Sequence, residues 1–188
     1  LFFGIQQAFE GSLWLALSSA NQEFIRPMAL GFLFFSLFFW LFWVPLSGYL
    51  LEKERYRKKI IKAFAIIGCL YGASLYFPLL THYTNFTIPL INGSLGYQIE
   101  FIYDPFIPKK LLRVIYAILI LVPLLISSNR YIKYFAILIF ASALFSTVIY
   151  NQTFISVWCY FASIISLYIV YMIYTQPRYQ RIKKDGLI

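Results

Sequence analysis

Charged residues are scarce in this chain, and their scarcity decides its class. Only 12% of the 188 residues are Asp, Glu, Lys or Arg, whereas 61% are hydrophobic and 21% are aromatic. A soluble domain usually carries about 25% charged residues. The few charges stand between long apolar runs, and a run of about 20 apolar residues is typical of a transmembrane helix. The composition predicts an integral membrane protein without a cleavable signal peptide.

Histidine and cysteine are also scarce, which excludes several kinds of site. The single histidine, His82, cannot supply both axial ligands of a haem or a multi-histidine metal site, and we expect it at the membrane interface. The two cysteines, Cys69 and Cys159, lie in separate apolar runs and do not have the spacing of a metal or redox motif. We expect no metal site.

Catalytic sets are not visible inside the apolar runs. Hydrolysis within a membrane needs paired aspartates, a Ser-His pair or a set of metal ligands, and the chain offers none of these in a recognisable pattern. The predicted function is therefore non-enzymatic, and a membrane enzyme of unrecognised type remains an alternative. The net charge of +9 does not indicate nucleic-acid binding, because the basic residues flank apolar runs.

Six apolar segments predict six transmembrane helices in one polytopic domain over 1–188. Their expected bounds are about 1–19, 27–51, 60–80, 111–127, 131–150 and 153–174. Pro27 suits a first helical position, Pro45 is expected to kink the second helix, and Pro177 should mark the end of the last. Since the chain begins at Leu1 inside an apolar run, we expect that some N-terminal sequence is missing.

The basic residues are divided unevenly between the predicted loops. Twelve of the 16 lie in one set of segments: Lys53, Arg55, Arg57, Lys58, Lys59, Lys62, Arg130, Lys133, Arg178, Arg181, Lys183 and Lys184. The other four are Arg26, Lys109, Lys110 and Arg113. The positive-inside rule then predicts a cytoplasmic C-terminal tail (175–188), a cytoplasmic 52–59 loop and an outer 81–110 loop. The abundance of Ile, Tyr, Phe and Lys suggests a bacterial protein of the inner membrane.

The outer loop carries a pattern typical of a small β-hairpin. Asn92-Gly93 is a strong signal for a hairpin turn. Downstream, alternate residues fall on one face: Leu95, Tyr97, Ile99, Phe101 and Tyr103. We expect a β-hairpin at about 85–104 that caps the helical bundle, with an interfacial segment as the alternative.

The first helix combines polar residues with an apolar run. At 100° per residue, five side chains fall within an arc of about 100°: Phe3, Gln6, Gln7, Glu10 and Trp14. This polar stripe is predicted to face protein, and the adjacent small residues should admit a neighbouring backbone: Gly4, Ala8 and Gly11. The opposite face suits lipid: Phe2, Ile5, Phe9, Leu13 and Ala16.

Glu10 lies about 13 Å from the helix end at 1.5 Å per residue, near the bilayer midplane. A carboxylate isolated at this depth is costly, so it should be neutral, paired or exposed to water. Its expected partners are Gln6 and one of four hydroxyls: Tyr71, Ser142, Ser163 or Tyr168. Two interpretations remain open: a proton- or cation-responsive carboxylate or ligand anchor, and a neutral acid in a structural hydrogen-bond network.

The last helix gathers small residues on one face. They are Ser156, Cys159, Ala162, Ser163 and Ser166, flanked by Trp158 and Tyr160. Tight helix packing is the first interpretation of such a face, and the wall of a polar site is the second.

Three stretches resemble an uncharacterised family of bacterial multi-pass membrane proteins: GIQQAFEGSLW (4–14), LLISS (124–128) and SVWCYFAS (156–163). In that family a Gln-Gln-x-x-Glu-Gly-x-x-Trp helix precedes a Ser-Val-Trp-Cys-Phe-Phe-Ala helix. The resemblance covers most of the chain outside the outer loop, and it implies a further N-terminal helix opening with Met-Cys-Phe-Ser, seven helices and an outer N-terminus. It implies no activity. By motif match the candidate ligand- or proton-binding residues are Gln6, Gln7, Glu10, Trp14, Trp158, Cys159 and Tyr160, with Tyr160 in place of the usual Phe.

The predicted function is that of a sensor or small-ligand-binding helical bundle, or of an accessory subunit in a membrane complex. A proton- or cation-coupled transporter using Glu10 is the alternative, although the chain shows no internal repeat. The last helix contains no Lys, which excludes a retinal Schiff base there, and the cofactor stays unknown. The expected partners are the lipid bilayer and other membrane subunits.

Overall fold

Six helices follow one another along the chain. The computed structural model describes residues 1–19, 21–81 and 86–184, with backbone alone at 172 and 174–184, so the expectation for His82 lies outside the described residues. The helices are α1 (Phe2–Ser18), α2 (Gln22–Leu51), α3 (Arg55–Leu80), α4 (Lys109–Ile126), α5 (Arg130–Ile149) and α6 (Phe154–Lys184), with a 3₁₀ turn at Asn151–Thr153 before α6. The helix α2 begins before Pro27, and α6 continues past Pro177.

Four segments of the described chain are long and apolar enough to cross a membrane. They are Gln22–Leu51, Arg55–Leu80, Arg130–Ile149 and Asn151–Tyr171. The helix α1 has only 17 residues, and the first turns of α4 contain Lys109, Lys110 and Arg113. The prediction of an all-helical apolar protein with a small β-structure is confirmed.

The loop between α3 and α4 forms two small antiparallel sheets. Strand β1 (Phe86–Thr87) pairs with β4 (Gln98–Ile99), and β2 (Leu90–Ile91) pairs with β3 (Ser94–Leu95). The β2–β3 turn is Asn92-Gly93, with φ of 49° and 73°. Both residues therefore have the left-handed conformation of a type I′ hairpin turn. Leu95, Tyr97 and Ile99 are buried, as their alternation predicts.

The hairpin packs against one end of the bundle, which we call the hairpin end. Arg26 of α2 donates to the Leu79 carbonyl at 3.1 Å, and its guanidinium lies 5.2 Å from the centre of the Phe86 ring. Lys109 of α4 donates to the Ile99 carbonyl at 2.7 Å. Side chains from two helices thus hold the hairpin in place.

The opposite end is organised by Glu52, which connects two loops. Its Oε1 accepts hydrogen bonds from Ser128 Oγ (2.7 Å), Lys53 N (2.9 Å) and Glu54 N (3.1 Å), and its Oε2 accepts one from Ser128 N (2.8 Å). Burial acts to raise the pKa of Glu52, but these four hydrogen bonds outweigh it and lower the pKa to about 2. The ionised carboxylate clamps the α2–α3 loop to the α4–α5 loop at this Glu52 end.

The helices α2 and α3 approach each other closely at two glycines. Pro45 has no N–H for the Leu41 carbonyl four residues earlier, and a Cβ at Gly68 would collide with that carbonyl. A Cβ at Gly72 would lie 3.0 Å from the Leu37 carbonyl. The helix α2 runs on through Pro45, where a kink stays a prediction. It also contains a π-helical segment, Phe34–Phe39, that the sequence did not predict.

The face of α1 that packs overlaps only in part with the predicted one. The buried residues recur at intervals of three and four: Gln6, Glu10, Leu13 and Ala16. The prediction that Leu13 and Ala16 face lipid is therefore wrong. The small residues Gly4, Ala8 and Gly11 are exposed, and a Cβ at either glycine meets nothing within 4 Å among the described residues.

Candidate functional site

The buried amide of Gln6 on α1 meets Trp40 on α2. Gln6 Oε1 accepts a hydrogen bond from Trp40 Nε1 at 2.7 Å. Phe3 stacks on the same indole, with ring centroids 4.0 Å apart and planes 19° apart. The Cys159 thiol of α6 lies beside the Gln6 amide, whose Nε2 has no hydrogen-bond partner in the described chain. The helix α1 therefore sets the orientation of Trp40.

Glu10 is buried one turn further along α1 and is 5% exposed. Its carboxyl lies beside the Ser156 hydroxyl of α6 and the Gln7 amide. The Oε1 atom of Glu10 and the Nε2 atom of Gln7 are buried without a partner of hydrogen-bond geometry among the described residues. No basic side chain in that part of the chain pairs with Glu10. Since an unpaired ionised carboxylate is costly to bury, we take Glu10 to be a neutral acid.

The partners expected for Glu10 are mostly wrong. Gln6 bonds Trp40 rather than Glu10. Three of the four expected hydroxyls donate to backbone carbonyls: Tyr71 to Leu112 (3.1 Å), Ser142 to Ile139 (2.8 Å) and Ser163 to Tyr160 (2.8 Å). A serine or threonine hydroxyl in a helix commonly bonds a carbonyl one turn earlier, which leaves it unavailable to a distant acid.

The hairpin reaches the same region through Tyr97. Its ring stacks on Phe32 of α2, with centroids 4.9 Å apart and planes 14° apart. Burial raises the pKa of Tyr97, and the nearby Glu10 and Cys159 add to this effect. The phenol therefore stays protonated, and its hydroxyl is buried without a partner among the described residues.

A cavity of about 280 Å³ lies between these polar groups and the Glu52 end. We call it the main cavity, and five helices line it: α1, α2, α4, α5 and α6. Its walls are almost entirely apolar and aromatic. Two of its lining residues, Trp40 and Cys159, lie beside Gln6 of the polar cluster, which we define as Gln6, Gln7, Glu10 and Ser156.

A smaller cavity of about 90 Å³, the hairpin-side cavity, lies under the hairpin. Its polar lining residues are Ser36, Tyr71, Tyr97, Lys109, Arg113, Tyr116, Trp158 and Cys159. The last three also line the main cavity. Tyr116 donates a hydrogen bond to the Ser36 carbonyl of the π-helical segment at 2.7 Å, and its ring meets Trp158 edge to face at 5.5 Å. These contacts hold the wall between the two cavities.

The structure brings four of the seven candidate residues together: Gln6, Gln7, Glu10 and Cys159. A fifth, Trp158, is buried and lines both cavities with Cys159. The other two lie outside the group, since Trp14 is 37% exposed and Tyr160 is 54% exposed. Sequence reasoning missed Trp40 and Tyr116, for which a single sequence gives no local signal. A ligand role for the five stays a prediction. No three His, Cys, Asp or Glu side chains converge within the described residues.

A helical, apolar bundle with a cavity beside buried polar groups is of the kind found in membrane proteins. The sequence model of a family of unknown function, DUF6629, matches residues 1–184. The chain belongs to this family. No curated protein and no solved structure matches it. The expectation of an uncharacterised family is confirmed, and the bacterial origin and the seventh helix stay predictions.

Proposed function

We propose that this protein is a non-enzymatic membrane protein that binds one small, mostly apolar molecule in the main cavity. The observation that carries the proposal is the cavity of about 280 Å³ lined by five helices. Small-molecule sites are concave and mostly apolar, with volumes of about 300–1,000 Å³ and a few well-placed polar groups. The main cavity is close to this range, and the polar cluster lies directly behind its wall.

The selectivity of such a site depends on shape and polar contacts. A molecule that enters from the bilayer leaves an environment as apolar as the cavity, so burial alone gives little driving force. The aromatic walls supply shape through Phe3, Trp43 and Tyr168. Gln6 supports one wall by orienting Trp40. In the proposed site, the buried Gln6 amide therefore helps to fix the shape of the cavity wall.

Ala162→Leu tests the proposal by filling the main cavity. Ala162 lines the cavity and is buried, so the larger side chain projects into the ligand volume. Ala141→Leu on the exposed face of α5 is the matched control. Each protein is purified in mild detergent, extracted with organic solvent and analysed by mass spectrometry. We expect one small molecule near stoichiometric amount in the wild type and Ala141→Leu, and its loss in Ala162→Leu. Equal content in all three, or none in the wild type, would refute the proposal.

The position in the membrane is part of the proposal. We place the Glu52 end and the C-terminal tail in the cytoplasm of a bacterium, and the hairpin outside the inner membrane. The reason is that twelve of the 16 basic residues lie in the segments that this orientation puts in the cytoplasm. A C-terminal green fluorescent protein should then fluoresce, and alkaline phosphatase inserted at Asn92-Gly93 should be active. The opposite pair of results would contradict this orientation.

A second candidate function is that of an accessory subunit, and the exposed face of α1 favours it. Gly4, Ala8 and Gly11 form a small-residue surface on which another membrane helix can pack closely. Gly11→Leu should release a stoichiometric membrane partner that Ala141→Leu retains after extraction in mild detergent. A monomeric wild-type protein under these conditions would exclude this candidate.

A further inference from the structure

Two residues that line the hairpin-side cavity carry hydrogen-bond donors that no described residue uses. Tyr97 and Trp158 both line this cavity of about 90 Å³. The two residues are 7% and 8% exposed, and neither donor atom has a partner among the described residues. Buried polar groups in native proteins are rarely left unpaired. Two such donors on residues that line one small cavity favour a ligand that accepts hydrogen bonds.

Arg113 adds a positive charge to the same cavity. Its Nη1 donates to Asn151 Oδ1 at 2.6 Å and its Nη2 to the Asn151 carbonyl at 3.3 Å. The guanidinium also lies 5.1 Å from the centre of the Phe154 ring. All these partners are neutral, and neither ion pair found in the described chain includes Arg113. A guanidinium has five N–H donors, so two hydrogen bonds leave others free.

The charge of the cavity as a whole is set by Arg113. Lys109, the other cation in the lining, already pairs with Asp104 at 3.3 Å and donates to the Ile99 carbonyl. No Asp or Glu stands among the lining residues. Glu10 lies near Tyr97 behind the wall, where we take it to be neutral. The first turns of α4, with the positive end of its helix dipole, border the same space.

We propose that the hairpin-side cavity binds the carboxylate of an amphiphilic monocarboxylic acid whose alkyl chain extends into the main cavity. The proposal rests on the ligand role of the main cavity given above. A carboxylate accepts paired hydrogen bonds from a guanidinium and from neighbouring O–H and N–H groups. One unbalanced positive charge matches a monoanion, whereas a phosphate monoester would leave excess negative charge in a mostly apolar site.

The two cavities adjoin, so that one molecule could contact both. Tyr116, Trp158 and Cys159 each line the two spaces. A carboxylate held by Arg113, Tyr97 and Trp158 leaves its alkyl chain against this wall. The proposal requires the alkyl chain to pass Cys159, which is the smallest of the three shared side chains.

The test compares octanoate with 1-octanol, which has the same chain length and no charge. Radiolabelled probes are dialysed against the full protein in nanodiscs, and binding to empty nanodiscs is subtracted. The variants are Arg113→Gln and Arg130→Gln, because Arg130 lies over the Tyr131 ring and lines neither cavity. We expect wild type and Arg130→Gln to bind octanoate about 10-fold more tightly than octanol, and Arg113→Gln to lose this preference while binding octanol unchanged.

Several outcomes would overturn the carboxylate site. If the wild type binds octanoate and octanol with equal affinity, and Ala162→Leu weakens the binding of both, the carboxylate site is refuted. That result still supports ligand binding in the main cavity. If acetate binds as tightly as octanoate, the alkyl chain does not contribute to binding, and an amphiphilic ligand is refuted. If Arg113→Gln loses both probes through misfolding, Tyr97→Phe decides, because it removes only a hydroxyl. Weaker octanoate binding by Tyr97→Phe with unchanged octanol binding supports the site, and unchanged octanoate binding overturns it. Binding of neither probe to the wild type also overturns it.

Discussion

The hydrogen bond between Gln6 and Trp40 is predicted to be a stabilising link between α1 and α2. Gln6 Oε1 and Trp40 Nε1 are 2.7 Å apart, and both side chains are buried. Gln6→Met keeps much of the volume but leaves the indole N–H without its acceptor. A buried polar group without a partner costs about 1–3 kcal/mol, so Gln6→Met should lower the free energy of unfolding by that amount.

A double-mutant cycle separates the hydrogen bond from the loss of volume. Trp40→Phe removes the donor and should cost about 3 kcal/mol, since it also loses stacking on Phe3 and leaves a small cavity. The double variant Gln6→Met/Trp40→Phe no longer contains the unpaired indole N–H. We therefore expect it to be about 1–2 kcal/mol more stable than the sum of the single variants predicts.

Unfolding of the detergent-solubilised protein by sodium dodecyl sulfate, followed by circular dichroism, measures these free energies. Gln6→Met combined with Trp14→Phe is the control, because Trp14 is exposed on the same helix, eight residues from Gln6. This pair should be additive within about 0.5 kcal/mol. If Gln6→Met and Trp40→Phe are equally additive, the hydrogen bond does not stabilise the protein and the reasoning fails.

Three further predictions concern other parts of the fold. Gly68→Ala should lower the melting temperature, because its Cβ would collide with the Leu41 carbonyl. Gly11→Ala is the control, because a Cβ there has open space and should stabilise α1 by up to about 1 kcal/mol. Equal effects of the two substitutions on the melting temperature would contradict the close approach of α2 and α3. Glu52 has its pKa lowered from 4.5 to about 2, so its stabilisation is complete above pH 4.5 and is lost as the pH falls towards 2. Glu52→Gln should therefore cost about 3 kcal/mol at neutral pH, and it should flatten the dependence of unfolding free energy on pH in that acidic window; an unchanged acid profile would refute the clamp. Gly93→Ala places a side chain at φ of 73° and should cost about 1 kcal/mol, measured against Gly4→Ala on the open face of α1.

The sequence predicted the local elements well because each depends on neighbouring residues. The apolar runs indicated the helices, and Asn92-Gly93 indicated the hairpin turn. The burial of Gln6 and Glu10 also followed from their place on one face of α1. In contrast, the buried positions of Leu13 and Ala16 depend on how α1 rotates against α2, which the pattern within α1 left ambiguous.

Contacts between distant helices could not be predicted in the same way. Trp40 is 34 residues from Gln6, and their hydrogen bond depends on the register between α1 and α2. The π-helical segment Phe34–Phe39 changes that register and carries no signal in a single sequence. Gly68 and Gly72 do carry a local signal, because they have the four-residue spacing of a close helix contact.

An experimental density map of the protein in a lipid nanodisc would test the ligand role of the main cavity most directly. The proposal predicts elongated density inside the cavity, in contact with Trp40, Cys159 and Ala162. The same density should be absent from a map of Ala162→Leu. A map in which Trp43 and Tyr168 close over this space and leave it without ligand density would contradict the proposed function.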